Sequence, residues 1–278
     1  MCDETTGLTR REFTALGAAT VLAGCTGGAA AGSAELREDM VGIATADGMA
    51  DAFFVHPLKG AYPGVILWPD IAGLREVKKI MARRLAAAGY AVLAVNQYYR
   101  DAPAPVMNSF SEYRTPEGQA KIAPMREKIT PETVTRDAVA YVAFLDGQAA
   151  VDKGRKIGTQ GYCMGGPYTV RTAATVPKRV GAAASFHGAG LVGDQPDSPH
   201  RLLGRAQASY LFAIARNDDA KSPGDKDALR KAADEADRSA EVEVYPADHG
   251  WCVADSPAYD PAQAERAWDR LLALYSKL

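Results

Sequence analysis

"KIGTQGYCMGGPYTV", residues 156–170, decides how the rest of the chain is read. A short run, RKIGTQG, leads into Gly161-Tyr162-Cys163-Met164-Gly165-Gly166, and a helix-compatible segment follows from about Met164. A strand that passes at once into a helix forces the residue at the turn into a strained backbone conformation. The residues two before and two after it must be small to avoid collision, and here they are Gly161 and Gly165. Such a turn lifts the Cys163 sulfur clear of the sheet and over a helix N-terminus, whose positive end favours thiolate over thiol. It also leaves the N–H of Met164 free to hold an oxyanion. The competing reading is a cysteine that serves only as a small buried hydrophobe.

Outward from this turn, short β-branched or aromatic runs alternate with longer helical stretches. ADAFFVHP, GVILWPD and AVLAVNQYY read as strands before it, the second almost wholly apolar and therefore central. VGAAASFHG, ASYLFAIARND and AEVEVYP read as strands after it. The helices are LREVKKIMARRLAAAGY, closed by Gly89, then TPETVTRDAVAYVAFLDGQ, GDKDALRKAADEAD and PAQAERAWDRLLALYSKL. The second opens on Thr130 as N-cap with Pro131 at the first helical position. Residues 101–130, rich in Pro and polar groups, read as an insertion or long loop at the sheet's edge. The alternation predicts one α/β domain over residues 38–278, a mostly parallel sheet with helices on both faces.

Composition narrows the possible partners. The chain has 278 residues, 47% hydrophobic and 24% charged, and its 32 basic and 34 acidic residues leave a net charge of -2. That balance points to neither nucleic acid nor an anionic membrane surface. No stretch approaches the roughly 20 apolar residues of a spanning helix.

The first residues have a character of their own. Thr9-Arg10-Arg11-Glu12-Phe13, a weakly apolar run, and Leu22-Ala23-Gly24-Cys25 resemble a twin-arginine export signal ending in a lipoprotein cleavage box. On that reading residues 1–24 are a signal, Cys25 carries lipid, residues 25–37 are a flexible tether, and the protein resides in the periplasm or cell envelope. The alternative is an amphipathic helix packed on the domain. Of the four cysteines, Cys2 would be lost with the signal, which leaves Cys163 and Cys252 in the fold and no disulfide framework.

Three reactive groups fall at the carboxyl ends of strands, where an open α/β sheet places its chemistry. Cys163 follows RKIGTQGY, Asp218 and Asp219 follow YLFAIARN, and His249 lies in YPADHGWC. Nucleophile, acid, histidine is the chain order of the α/β-hydrolase fold. The order leaves Asp218 and Asp219 both open as the acid; counting from the strand end favours Asp218.

These residues resemble the dienelactone hydrolase family. Its elbow matches Gly161 to Gly166, and VILWPDIAGL, AAAGYAVLAVNQYYR, SFHG and VEVYPADHGW match its other stretches in order, over roughly residues 38–278. The resemblance implies an α/β-hydrolase fold with Cys163 as nucleophile, His249 as base and an aspartate orienting it. The family pattern, an aspartate followed four residues on by a proline, would point through Pro223 to Asp219 as that acid. It implies that Ile71 N–H completes the oxyanion hole, that Asp70 contacts the resting thiol and that Arg100 meets the substrate. It implies a small ester or lactone substrate and no cofactor. A second arginine of the family pattern falls at Val253, so an anionic dienelactone is not the expected substrate. Tyr98 and Tyr99 are expected to wall the pocket, and His187 in SFHG to be structural. Two other readings stand beside this one: a zinc site built from Cys163, His249 and Cys252, and a catalytically silent ligand-binding lipoprotein.

Overall fold

The computed structural model describes residues 35–278. The export signal, the lipidation site Cys25 and most of the tether lie outside the described residues. Eight strands form one sheet: β1 (Leu36–Thr45), β2 (Gly48–Pro57), β3 (Gly64–Trp68), β4 (Ala91–Val95), β5 (Ile157–Tyr162), β6 (Val180–Phe186), β7 (Ser209–Ala215) and β8 (Ala240–Tyr245). Their order is β1-β2-β4-β3-β5-β6-β7-β8. β1 and β2 make a hairpin, β2 runs antiparallel to β4, and every later pairing is parallel.

The central strands are apolar because both their faces are covered. Every residue of β3 and β4 is buried, and successive side chains go to opposite layers. Ile66 and Trp68 join Tyr141 and Leu145 of α4 (Pro131–Gly147), Val170 of α5 (Gly166–Thr175) and Leu229 of α7 (Asp225–Glu235). Val65 and Leu67 join Leu85 of α1 (Glu76–Ala87) and Leu271 and Tyr275 of α8 (Pro261–Tyr275). Burying each such side chain contributes about 1.5–3 kcal/mol. The helix ends follow local chemistry. Thr130 and Thr133 cap each other's backbone N–H groups at the start of α4, and Gly89, with φ +96°, stops α1.

Two parts of the sequence reading change. Residues 101–130 are not a loop at the sheet's edge. They carry α2 (Phe110–Tyr113) and α3 (Pro116–Glu127), which lie over the carboxyl ends of the central strands: Phe110, Ile122 and Met125 pack with Ile71, Tyr98 and Met164. Between β7 and α7 a further short helix, α6 (Arg216–Lys221), carries both candidate aspartates in its first turn.

Candidate active site

The turn after β5 is built by close approach. A single 3-10 turn, Cys163–Gly165, joins β5 to α5, and Cys163 sits in left-handed backbone with φ +53°. A Cβ on Gly161 would come within 2.0 Å of the Gly165 carbonyl oxygen, and one on Gly165 within 2.5 Å of the carbonyl oxygens of Trp68 and Pro69. Only glycine lets the strand, the turn and the end of β3 meet this closely.

Cys163 opens on a cleft of about 690 Å³ that is also lined by Ile71, Met164, Asp218 and His249. The loop after β8 delivers His249, whose Nδ1 is 2.6 Å from Asp218 Oδ2. Two further bonds lock that loop to α6: Asn217 Oδ1 accepts from His249 N–H at 2.9 Å, and Ala247 O accepts from Arg216 N–H at 3.0 Å. Asp219, one residue on, turns away and pairs with Lys226 at 2.7 Å. Burial disfavours charge on the His249 ring, but the hydrogen bond to Asp218 and the neighbouring Cys163 sulfur outweigh that, and its pKa is raised to about 10. With Nδ1 committed to Asp218, Nε2 is left for the sulfur.

Asp70 does not reach the cleft. It is 2% exposed, and Arg75 takes both its oxygens at 2.7 and 3.1 Å while Lys78 Nζ, which makes no well-directed hydrogen bond, lies 2.8 Å from Oδ2 as an ion pair. Burial alone would push the Asp70 carboxyl up; the Lys78 and Arg75 charges reverse this and hold it well below the usual carboxylate range. Arg75 in turn binds Asp255 through two bonds of 2.7 Å, and Asp255 accepts the Phe110 N–H at 3.0 Å. This cage fixes the segment that presents Ile71. Tyr98 does not wall the cleft either; its hydroxyl donates to Ile71 O at 2.7 Å. The N–H of Ile71 has no acceptor among the described residues.

Arg100 is likewise drawn away from the expected substrate contact. It bonds Asp137 at 2.7 and 3.0 Å and Asp47 at 2.7 Å, because burial of Asp137 demands a counter-charge. Tyr99 hydrogen-bonds Asp137 and Thr45 behind it. The cations that do line the cleft are Arg126, from the last turn of α3, and Lys221, from the last turn of α6. Neither has an ion-pair partner among the described residues. Cys252 is not with Cys163 and His249: it lines a separate small cavity with Tyr162, Phe186 and Trp268. Among the described residues no three His, Cys, Asp or Glu side chains stand close enough to hold a metal ion. His187, expected to be structural, accepts the Cys163 N–H on Nδ1 at 3.1 Å.

The sheet order, the sharp turn after its central strand and the carboxylate–histidine pair at the same rim define an α/β hydrolase. The model of the dienelactone hydrolase family matches residues 50–278, and the chain belongs to that family. A candidate carboxymethylenebutenolidase from Synechocystis sp. is 27% identical over 247 residues, covering 87% of this chain and 97% of that protein. A candidate lactonase from Bradyrhizobium sp. is 27% identical over 243 residues, 84% of this chain and 92% of that protein. A solved candidate dienelactone hydrolase from Klebsiella pneumoniae shares the fold, with TM-score 0.74, 24% identity, and coverage of 88% of this chain and 100% of that one. The protein is a hydrolase of lactone or ester bonds.

Proposed function

We propose that the enzyme cleaves a small ester or lactone through a thioester on Cys163. His249 Nε2 takes the thiol proton, and the Cys163 sulfur bonds to the substrate carbonyl carbon. The N–H groups of Ile71 and Met164 hold the resulting oxyanion; each such donor is worth roughly 3 kcal/mol. As the carbonyl reforms, the C–O bond to the alcohol breaks and His249 returns the proton to the departing oxygen, which in a lactone stays tethered to the acyl chain. His249 then takes a proton from water, whose oxygen attacks the thioester. The C–S bond breaks, and the acid leaves with the thiol restored. Asp218 holds Nδ1–H throughout. The observation that carries the reading is the 2.6 Å Asp218–His249 bond at a cleft that His249 and Cys163 line together.

Arg126 and Lys221 favour a substrate with an anionic group over the reading from Val253, because two unpaired cations on the cleft wall attract a carboxylate whichever elements supply them. The Bradyrhizobium relative is named for 2-oxo-3-(5-oxofuran-2-ylidene)propanoate, a lactone that carries one. Mass spectrometry after brief exposure to an activated ester tests the reading. An acyl adduct on Cys163 that hydrolyses with time is expected; full esterase activity in Cys163→Ala would sink it. The sequence of residues 1–25 further supports export and lipidation at Cys25, which would put the protein in host membrane fractions with Met1 absent.

A further inference from the structure

We propose that His187 is a positioning residue for this reaction: as its Nε2–H tautomer it accepts the Cys163 main-chain N–H and thereby holds the nucleophile in left-handed backbone. The inference rests on Cys163 being the nucleophile. Among the described residues three non-glycine residues have positive φ, and two of them, Cys163 (+53°) and His187 (+41°), are bonded to each other. Because Nδ1 accepts, the proton of the neutral ring is on Nε2. The acceptor itself is buried: His187 is 1% exposed. Burial first, and then the neighbouring His249 charge, push its pKa well below the ordinary value, so the ring stays neutral and keeps the lone pair that the bond needs.

The loop that carries the ring is held by its backbone, while Nε2 has no hydrogen-bond partner among the described residues. The His187 main-chain N–H donates to Ala213 O of β7 at 2.8 Å, and the Ala189 N–H donates to Cys163 O at 3.3 Å. The same loop is pressed on the elbow where Gly166 and Gly188 meet; a Cβ on Gly166 would fall 2.6 Å from the Gly188 Cα. The imidazole packs on His249 at 4.7 Å and edge-on to Trp251 at 5.1 Å between ring centroids. One side chain therefore holds the backbone of the nucleophile by a bond and the ring of the base by contact.

The test compares Cys163→Ala, His187→Leu and His187→Asn on a chromogenic ester. Asn can place Oδ1 where Nδ1 accepts, and it tolerates positive φ. With the N–H acceptor gone, His187→Leu should lose about 10²-fold in kcat, the scale of a small misplacement of reacting groups, with KM little changed. His187→Asn should recover most of it. An active Cys163→Ala would bring down the nucleophile assignment itself. An inactive Cys163→Ala beside a fully active His187→Leu would leave that assignment standing and overturn this proposal, as would equal loss in the Leu and Asn variants. If His187→Leu does not fold, nitrogen-15 NMR of the wild-type imidazole decides. An unprotonated Nδ1 at neutral pH supports the proposal, and a protonated one refutes it.

Discussion

Asp218→Asn exchanges one carboxylate oxygen for an amide nitrogen at the 2.6 Å bond to His249 Nδ1, with almost no change of shape. The amide can turn its NH2 to Nδ1, which would drive the ring proton to Nε2, the atom that must receive the thiol proton. The carboxylate and the Cys163 sulfur together lift His249 from 6.5 to about 10 against its burial, a preference for the charged ring on the order of 5 kcal/mol. Losing a large part of it should lower kcat by about 10²–10⁴-fold, the range that general-base and tautomer losses span. In an NMR titration the His249 midpoint should fall markedly towards 6.5. Stability should follow the same curve. A group raised in the folded state stabilises fully below its unfolded pKa and ceases to do so as pH climbs through the folded one. The melting-temperature gap between wild type and Asp218→Asn should therefore be widest just below 6.5 and close by about 10. Asp219→Asn is the control, because Asp219 faces Lys226 in a partly exposed pair worth about 1 kcal/mol or less. Equal loss of kcat in the two variants, or an unmoved His249 midpoint in Asp218→Asn, would refute the reasoning.

Arg126→Gln and Lys221→Gln should each raise KM for an anionic ester and leave a neutral one unchanged, whereas Arg100→Gln should lower stability instead, because it strips Asp137 of its counter-charge; steady-state kinetics beside melting curves separates these. Arg75→Met leaves buried Asp70 with Lys78 alone and Asp255 with no cation, and should cost about 3–5 kcal/mol in urea denaturation. Gly165→Ala drives a Cβ against two carbonyl oxygens of β3's end, and soluble expression should collapse, with any recovered protein destabilised by more than about 4 kcal/mol.

What could be read from the sequence was what local chemistry determines. Gly161 and Gly165 announce the sharp turn because collision at two residues' distance is a property of the backbone itself. Asp218 can be counted from the end of β7, since α6 starts at once at Arg216 and its first turn faces the His249 loop. Asp70 and Arg100 sit where the family pattern puts them, yet the charges that claim them, Arg75 and Lys78 for one and Asp47 and Asp137 for the other, come from packing that no single stretch encodes. His187 escaped for the same reason: its acceptor role needs a left-handed φ and a neighbour from another strand. Two misses did carry a local signal. Thr115-Pro116-Glu117 opens α3 with the same cap and proline that marked Thr130-Pro131 at α4, and the surrounding Pro and Gly content obscured it. Asp47 and Gly48 mark the hairpin: Ala46-Asp47 turns the chain between β1 and β2, Gly48 opens β2 at φ +132°, and the outer strand is exposed over residues 37–40.

Asp255 joins three stretches far apart in the chain: the Arg75 guanidinium below Ile71, the first N–H of α2, and its own loop downstream of His249. The roof of the cleft is thus not an interchangeable module. Transplanting residues 101–130 from a relative to change which acyl groups are accepted would also loosen the floor that aims the Ile71 N–H, so selectivity and turnover would drift together. Successful remodelling would keep a backbone donor at position 110 and confine new side chains to the inner side of α3.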